Sequence, residues 1–449
     1  MKRSWRWPFA GFVVGALVGA TILTVNVVGA GNAGVPRAAE HSFGEILHTP
    51  SLIAKQDEPV ELTFDVVCGM LEDRPGPRCS PSGSVYVRAP GAQEFDAIPL
   101  SREPGDLLSA EVPSRYTHGS GFDYYVEIDD GWGASGRLPK GGPEAPQQVW
   151  TVSERRSVGL EPLGAEAVRS PDSVPASFSW GKGIGGLGLV RGREQARIGP
   201  SAFDVAPDGA LVVLDQVNRR LVIRRDGRNS ALSIAFAGGE GDLAVAADGT
   251  IYVLDGDSQP VVRAFTQSGY PIASTPLAEP VADMVRAGPN GPLVHAYPSE
   301  MWLPTARGRL PLVPQAQLAA ARSARATDGG AGVVVSATPA EARLALVRGD
   351  RVVRAWILRG PANLGEVQLA EPYGEGLLVV VRVWTEKRAE FRVLRLAPDG
   401  LAESFAVDRA EWAESASLSR FRLRGSTLYQ LRSAPSGVEI AAFQIGGLK

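Results

Sequence analysis

Two neighbouring stretches decide the fold, FDVAPDGALVVLDQVNRRLVIRRDG (203–227) and LAVAADGTIYVLDGDSQPVVRAF (243–265). They align at an offset of 40 residues. Six positions are identical in this register: Val205/Val245, Asp208/Asp248, Gly209/Gly249, Val213/Val253, Leu214/Leu254 and Asp215/Asp255. Each stretch reads as an inner strand, an Asp-Gly turn, a second strand, an Asp-led loop and a third strand. A repeat of about 40 residues that holds only strands has the length of one four-stranded propeller blade.

Fainter copies of this pattern follow at 281–297, 332–358, 374–407 and 420–446. Together with the first two stretches they make six units. The sequence therefore predicts an all-β chain in which residues 175–449 form a six-bladed β-propeller.

The first unit also resembles a known family. Its string Asp215–Leu221 is similar to the D-x-x-N-x-R-[IL] signature of NHL-repeat propellers, and residues 177–200 resemble the aromatic and glycine-rich lead-in of that family. The resemblance implies a six-bladed ring whose last blade is closed by a lead-in strand near 176–180. The second unit departs from the signature at Gln259 and Pro260.

Residues 39–155 predict a separate β-sandwich. Short runs rich in Val, Tyr and Phe alternate with Pro, Gly and Asp, which is typical of antiparallel strands joined by turns. The runs GFDYYVEIDDGWG (121–133) and LPKGGPEAPQQVWTV (138–152) resemble bacterial immunoglobulin-like or fibronectin-type modules. This likeness implies a corner hydrogen bond made by Tyr124 or Tyr125. Residues 156–174 are expected to be a linker.

The amino terminus predicts export. Three basic residues precede an uncharged stretch from Trp7 to Pro36, which is typical of a secretion signal. The stretch is also long enough to cross a membrane. Residues 1–38 are therefore either a cleaved signal peptide or a hydrophobic signal-anchor helix. The body is then periplasmic, secreted or anchored outside the cytoplasmic membrane.

Charge argues against two classes of partner. Residues 1–38 hold four basic residues and no acid, which leaves 42 basic against 49 acidic residues, a net charge of −7, for the rest. An acidic body is not expected to bind nucleic acid, or a membrane except through its N-terminal segment.

The chain has two cysteines, Cys68 and Cys79. In an oxidising compartment, an even pair across a turn-rich loop favours a disulfide. A metal or redox pair is the alternative, and it would need CxxC spacing or a nearby histidine.

The predicted channel supplies the candidate site residues. Aligning the Asp-Gly turns places Asp242, Asp283, Arg325 and Gln368 near one level of the inner strands, a set that predicts a polar patch. Six-bladed lactonases and gluconolactonase-like hydrolases, which this propeller resembles, hold a divalent metal in their channel. Asp242 and Asp283 are the candidate ligands under that alternative, and calcium is then the candidate ion. No catalytic residue and no complete metal site is predicted.

Two other motifs have structural interpretations. Gly181, Gly183 and Gly186 fit the G-x-G-x-x-G pattern of phosphate-binding loops, but no helix is predicted after them, so we interpret them as a lead-in loop. Asp215 and Asp255 are expected to bind backbone N–H groups or arginine instead of a metal.

The favoured function is an exported, non-enzymatic, monomeric binding or scaffold protein without a cofactor, whose propeller recognises a protein, peptide or glycan. A metal-dependent lactonase or esterase and a purely structural envelope protein are the alternatives.

Overall fold

The computed structural model describes residues 43–449 apart from 68–78, 104–106, 192–195, 237–240, 257–258, 278–281, 289–290, 297–300, 305–324, 327–330, 350, 414–419 and 447–449. The predicted signal segment 1–38 and Cys68 lie outside the described residues. Within these limits the chain is almost entirely β-structure and contains no α-helix. The described part accordingly holds no helix that is long and apolar enough to span a membrane.

Residues 43–152 form a sandwich of two sheets. Its strands are β1 (Glu45–Leu47), β2 (Ile53–Lys55), β3 (Val60–Val67), β4 (Ser82–Arg88), β5 (Asp96–Pro99), β6 (Ser101–Arg102), β7 (Leu108–Val112), β8 (Gly121–Asp129), β9 (Ser135–Leu138) and β10 (Gln147–Val152), with single 3-10 turns at Ser114–Tyr116 and Gly142–Glu144. One sheet has the order β1-β3-β7-β6. The other has the order β2-β10-β8-β4-β5, with β9 beside β8.

Alternation along the strands builds the sandwich core. Val85 and Val87 on β4 are fully buried, whereas Tyr86 between them stacks on Tyr125 on the opposite side of the sheet. This is the period-two pattern that a strand with one buried face requires. Of the two candidates for the corner bond, Tyr124 and Tyr125, the phenol of Tyr124 is not used for it, since it lies 2.6 Å from Nε2 of His48.

Of the two cysteines, the structure describes Cys79. No described cysteine is a free thiol. Because Cys68 lies outside the described residues, the Cys68–Cys79 disulfide stays a prediction.

Six radial sheets follow the sandwich. Three strands precede them in the chain: β11 (Arg156–Gly159), β12 (Ser173–Trp180) and β13 (Gly186–Leu187). Blades one and two are β14 (Ala202–Val205), β15 (Leu211–Asp215), β16 (Arg220–Arg225) and β17 (Arg228–Ser233), then β18 (Gly241–Val245), β19 (Ile251–Asp255), β20 (Val261–Phe265) and β21 (Pro271–Pro276). Blades three and four are β22 (Ala282–Gly288), β23 (Gly291–Ala296) and β24 (Met301–Pro304), then β25 (Arg325–Ala326), β26 (Ala331–Ala337), β27 (Glu341–Arg348) and β28 (Arg351–Arg359). Blades five and six are β29 (Asn363–Tyr373), β30 (Gly376–Trp384), β31 (Ala389–Ala397) and β32 (Gly400–Val407), then β33 (Phe421–Arg424), β34 (Thr427–Ala434) and β35 (Gly437–Gln444).

The ring is closed by a strand from its own amino-terminal side. Strand β12 pairs antiparallel with β35, and Ser177 lies opposite Glu439. The strand expected near 176–180 therefore completes blade six. Such closure joins the two ends of the propeller through main-chain hydrogen bonds within blade six.

Residues 156–174 do more than link the two modules. Strand β11 adds to the outer edge of blade four, where Arg156 pairs in parallel with Trp356. Val168 then bridges Ala406 on blade five, and β12 follows on blade six. We call residues 156–172 the belt, because they follow the rim of three consecutive blades. The composition of these residues predicted a linker. The segment is extended because it pairs with the outer edges of blades four and five.

A buried arginine holds the belt in place. Arg392 on β31 has no exposed surface. Its Nη1 lies 3.0 Å from a carboxylate oxygen of Glu166, and its Nη2 donates to the carbonyl of Pro162 at 2.8 Å. Glu166 also accepts a hydrogen bond from the Ser404 hydroxyl. Glu390 on the same strand also pairs with Arg392, and the belt supplies further partners for this buried charge.

We expect Glu166→Ala to lower the free energy of unfolding by about 2 kcal/mol, because it removes an ionic partner 3.0 Å from a buried guanidinium. Urea denaturation measures this change, and limited proteolysis should show faster cleavage within the belt. Glu154→Ala is the control, since that carboxylate is 74% exposed and its ion pair with Arg156 spans 3.6 Å. An equal effect of both substitutions would contradict a role of Glu166 in holding the belt.

The sandwich and blade four share an apolar cluster. Trp150 is fully buried in it. The cluster consists of Leu52, Ile53, Trp150 and Val152 from the sandwich with Val334, Ala345, Val347 and Ala355 from blade four. Residues 41–449 accordingly form one compact unit.

Candidate functional site

The signature of the first unit forms a buried network. Asp215 at the end of β15 is fully buried, and its carboxylate accepts hydrogen bonds from Nε of Arg220 at 2.8 Å and from the side-chain amide of Asn218 at 2.7 Å. The backbone N–H of Gly188 donates to the same carboxylate at 2.9 Å. The three signature residues therefore bind one another and the lead-in loop.

Arg220 explains the glycine pattern of that loop. Its guanidinium donates to the backbone carbonyls of Lys182, Gly183 and Gly186 at 2.7 to 3.0 Å. A phosphate-binding loop presents N–H groups to its anion. Because this loop turns carbonyl groups toward a cation, the interpretation as a structural lead-in fits the geometry.

The second unit reaches the same result with a different arginine. Asp255 is 2% exposed and lies 2.9 Å from Nη1 of Arg263 on β20. Pro260 has no side chain that could make this contact. The departure from the signature thus changes which residue pairs with the aspartate and keeps the ion pair.

Asp242 lies at the channel and is fully buried. Its two carboxylate oxygens accept hydrogen bonds from the backbone N–H groups of Leu243 and Val285, each at 2.8 Å. Arg286 and Arg422 lie 3.1 and 3.2 Å from the same carboxylate. Asp242 therefore joins blades two, three and six, and its charge is matched by two guanidinium groups.

Asp283 has a different neighbour. Its carboxylate lies 2.6 Å from Nδ1 of His295, and this histidine is buried. Asp283 itself is 30% exposed. The two candidate carboxylates, Asp242 and Asp283, are therefore held by separate partners.

The other two candidates are placed as follows. Arg325 begins the short strand β25, where its backbone pairs with Val333. Gln368 lies on β29 beside a register shift, is 2% exposed, and donates to a carboxylate oxygen of Glu366 at 3.1 Å. Its side-chain oxygen has no hydrogen-bond partner in the described part of the chain.

Asp283 opens onto a cleft of about 430 Å³. Blade three contributes Asp283 and His295, blade five contributes Leu364 and Glu366, and the segment 49–52 of the sandwich covers one side. The cleft is thus built by both modules. It presents two carboxylates and a histidine beside apolar walls.

Three channel residues escaped the sequence reasoning. Asp204 is 6% exposed and accepts hydrogen bonds from the N–H groups of Val205 and Val245, both at 2.7 Å. It aligns with Ala244, so the repeat match gives no signal for it. Arg422 and Arg424 lie in the divergent last unit, where the spacing of Asp-Gly turns no longer indicates which residues face the channel.

Among the described residues, no three His, Cys, Asp or Glu side chains are grouped as a metal ion would require.

Comparison with known proteins finds similarity to solved structures only. No family model matches the sequence, and no curated protein matches it. The virginiamycin B lyase from Staphylococcus aureus is 10% identical over 57% of this chain and 98% of its own, with a TM-score of 0.35. The calcium-binding protein regucalcin from Agrobacterium tumefaciens is 11% identical over 66% of this chain and 98% of its own, with a TM-score of 0.34. The Dos1 propeller is 10% identical over 61% of this chain and 91% of its own, with a TM-score of 0.30.

The fold assignment follows from the strand pairing itself. Six sheets stand around one channel, neighbouring blades are in contact through their inner strands, and β12 closes the ring. The described chain is a β-propeller that carries an amino-terminal β-sandwich.

Proposed function

We propose that this is an exported, non-enzymatic binding or scaffold protein that uses the cleft between sandwich and propeller to recognise a protein, peptide or glycan. The observation that carries the proposal of a non-enzymatic protein is the set of contacts made by Asp242. Its carboxylate accepts hydrogen bonds from two backbone N–H groups and pairs with two arginines. A carboxylate whose oxygens are already used this way is a poor ligand for calcium, which takes six to eight oxygens.

The cleft is the favoured recognition surface because two modules build it. Concave sites that combine apolar walls with a few polar groups are common binding sites. The buried cluster around Trp150 holds the sandwich against blade four, so the cleft is preorganised, which lowers the entropic cost of binding.

Export and the Cys68–Cys79 disulfide belong to the same proposal. They rest on the N-terminal sequence and on the cysteine spacing. A monomer that lies outside the cytoplasm, in the periplasm, secreted or anchored by its first residues, is the expected form.

Ligand capture tests the proposal. The full chain, immobilised, is exposed to a glycan array and to an envelope extract. We expect a saturable ligand whose affinity falls about tenfold, or 1.4 kcal/mol, in the double variant Asp283→Asn, Glu366→Gln. Glu375→Gln, at a 78% exposed carboxylate elsewhere on blade five, is the matched control and should bind like the unmodified chain.

The lactonase alternative has its own measurement. Thermal stability with and without calcium, followed by hydrolysis of a lactone panel, should show no calcium-dependent shift and no turnover. Calcium stabilisation together with hydrolysis that Asp242→Asn abolishes would overturn the proposal. Binding that is indifferent to the cleft variants would leave the purely structural alternative.

A further inference from the structure

The cleft between sandwich and propeller combines acidic groups with apolar walls. Its charged lining residues are Asp283, Glu366 and His295, and no lysine or arginine is among the described residues that line it. Apolar side chains of both modules form the walls; they include Pro50, Leu52, Met284, Val335, Pro339 and Leu364. A ligand in this cleft therefore lies beside negative charge and apolar surface at the same time.

A buried histidine orients the first carboxylate. Nδ1 of His295 lies 2.6 Å from Oδ1 of Asp283, and this histidine is 5% exposed. The side chain of Asp283 keeps 30% of its surface exposed where it lines the cleft. Asp283 therefore presents an oriented hydrogen-bond acceptor to a ligand.

A buried amide positions the second carboxylate. The side-chain amide of Gln368 donates to Oε2 of Glu366 at 3.1 Å. Only the NH2 end of an amide can donate to a carboxylate, so the other end of this group is its oxygen, Oε1. That oxygen has no hydrogen-bond partner in the described part of the chain, and Gln368 is 2% exposed. A buried acceptor without a donor costs free energy, so this acceptor beside a cleft-lining carboxylate favours a ligand that donates hydrogen bonds.

These groups fit a cation that is carried on an aliphatic chain. Ammonium and guanidinium groups donate hydrogen bonds and accept none, and their bonds to carboxylates are stronger than bonds between neutral groups. The aliphatic part of a lysine or arginine side chain packs on apolar surface while its charged end stays with polar partners. Arg420 also interacts electrostatically with Glu366, but the ion pair that it forms at 2.9 Å is with Glu411. The cleft thus offers both parts of such a side chain a matching surface.

We propose that the cleft recognises a lysine or arginine side chain of a protein or peptide, with Asp283 and Glu366 binding its charged group. This inference rests on the proposed function, because it names the ligand of the same cleft. It favours a basic peptide over a neutral or acidic glycan.

The test uses the full chain and three tripeptides with blocked ends, whose central residue is lysine, arginine or Nε-acetyllysine. Calorimetric titration at low ionic strength measures the Kd of each peptide. We expect the two charged peptides to bind about tenfold more tightly than the acetylated one, which has the same stem without the charge. A glucosamine oligosaccharide offers ammonium groups on a sugar, and tighter binding of it than of both charged peptides would overturn the assignment to a peptide.

Variants connect the binding to the cleft. Asp283→Asn and Glu366→Gln should each weaken the charged peptides about threefold and leave the acetylated peptide unchanged. Glu366 is exposed, so its variant keeps the test valid if Asp283→Asn disturbs the contact with His295. Glu375→Gln removes the same charge from a 78% exposed position elsewhere on blade five and is the matched control. Equal binding of all three peptides, or equal effects of Glu366→Gln and Glu375→Gln, would overturn the inference.

The outcomes separate this inference from the proposed function. A captured ligand that depends on the cleft but carries no basic group would overturn the assignment to a lysine or arginine side chain and leave the binding role intact. A chain that captures nothing from the glycan array or the envelope extract, and binds none of the peptides, would contradict both.

Discussion

Replacing Asp215 by alanine should lower the free energy of unfolding by about 3 to 5 kcal/mol, the largest effect of any substitution considered. The change leaves the Arg220 guanidinium, which is 9% exposed, without its carboxylate partner. Removing one partner of a buried ion pair costs this much because the other charge stays buried without compensation. It also releases the hydrogen bonds from Asn218 and Gly188 that hold the lead-in loop.

Urea or thermal denaturation of the purified chain measures the loss. Asp215→Asn separates the two contributions, since an amide keeps some hydrogen bonds and removes the charge. Asp208→Ala is the control. Asp208 is also a repeat-matched aspartate, but its side chain is 37% exposed and its ion pair with Arg225 should contribute at most about 1 kcal/mol. Similar losses in Asp215→Ala and Asp208→Ala would show that the buried network is not a main source of stability.

Acid should destabilise the sandwich through His48. This side chain stacks on Phe64 in the core, with Nδ1 2.6 Å from the carbonyl of Thr63 and Nε2 2.6 Å from the Tyr124 hydroxyl. Nδ1 therefore carries the proton and donates, while Nε2 accepts from the phenol. Burial raises the pKa of Tyr124, so that hydroxyl remains a donor. Protonated His48 would donate through Nε2, so the Tyr124 hydroxyl would lose its acceptor and would have to accept instead.

Burial lowers the pKa of His48 from 6.5 to about 4, partly offset by the hydrogen bond to Thr63. Between these values the unfolded chain binds more protons than the folded chain, so stability falls as the pH falls. The contribution is fully present above pH 6.5 and is lost by about pH 4, a total of about 3 kcal/mol. Urea unfolding at a series of pH values between 4 and 7 measures it.

A pair of histidine variants isolates this effect. His48→Gln should flatten the pH dependence between 4 and 6.5 relative to the unmodified chain. His118→Gln, at an exposed histidine beside Asp57, should leave the slope unchanged. If His48→Gln keeps the full slope, other groups cause the acid sensitivity.

Much of the propeller could be predicted because its signals are local. The Asp-Gly turns, with positive φ at Gly209 and Gly249, separate runs of buried β-branched residues, and the 40-residue offset repeats them. The signature aspartate is also predictable, since Asp215, Asn218 and Arg220 lie within six residues of one another. The last units lose the regular spacing of the Asp-Gly turns, so their sequence does not indicate which residues face the channel. For this reason Arg422 and Arg424 were not predicted as channel residues.

By itself, then, the sequence determined the strand pattern and the repeat, because both depend on neighbours along the chain, while the strand that closes the ring was implied by the family resemblance. Only the tertiary structure decided the partners of Asp242, the course of the belt and the seating of the sandwich on blade four. Those contacts join residues that lie far apart in the chain; Asp242 and Arg422, for example, are 180 positions apart. Side chains with no shared periodicity meet there because closing the ring brings blade six beside blades one and two.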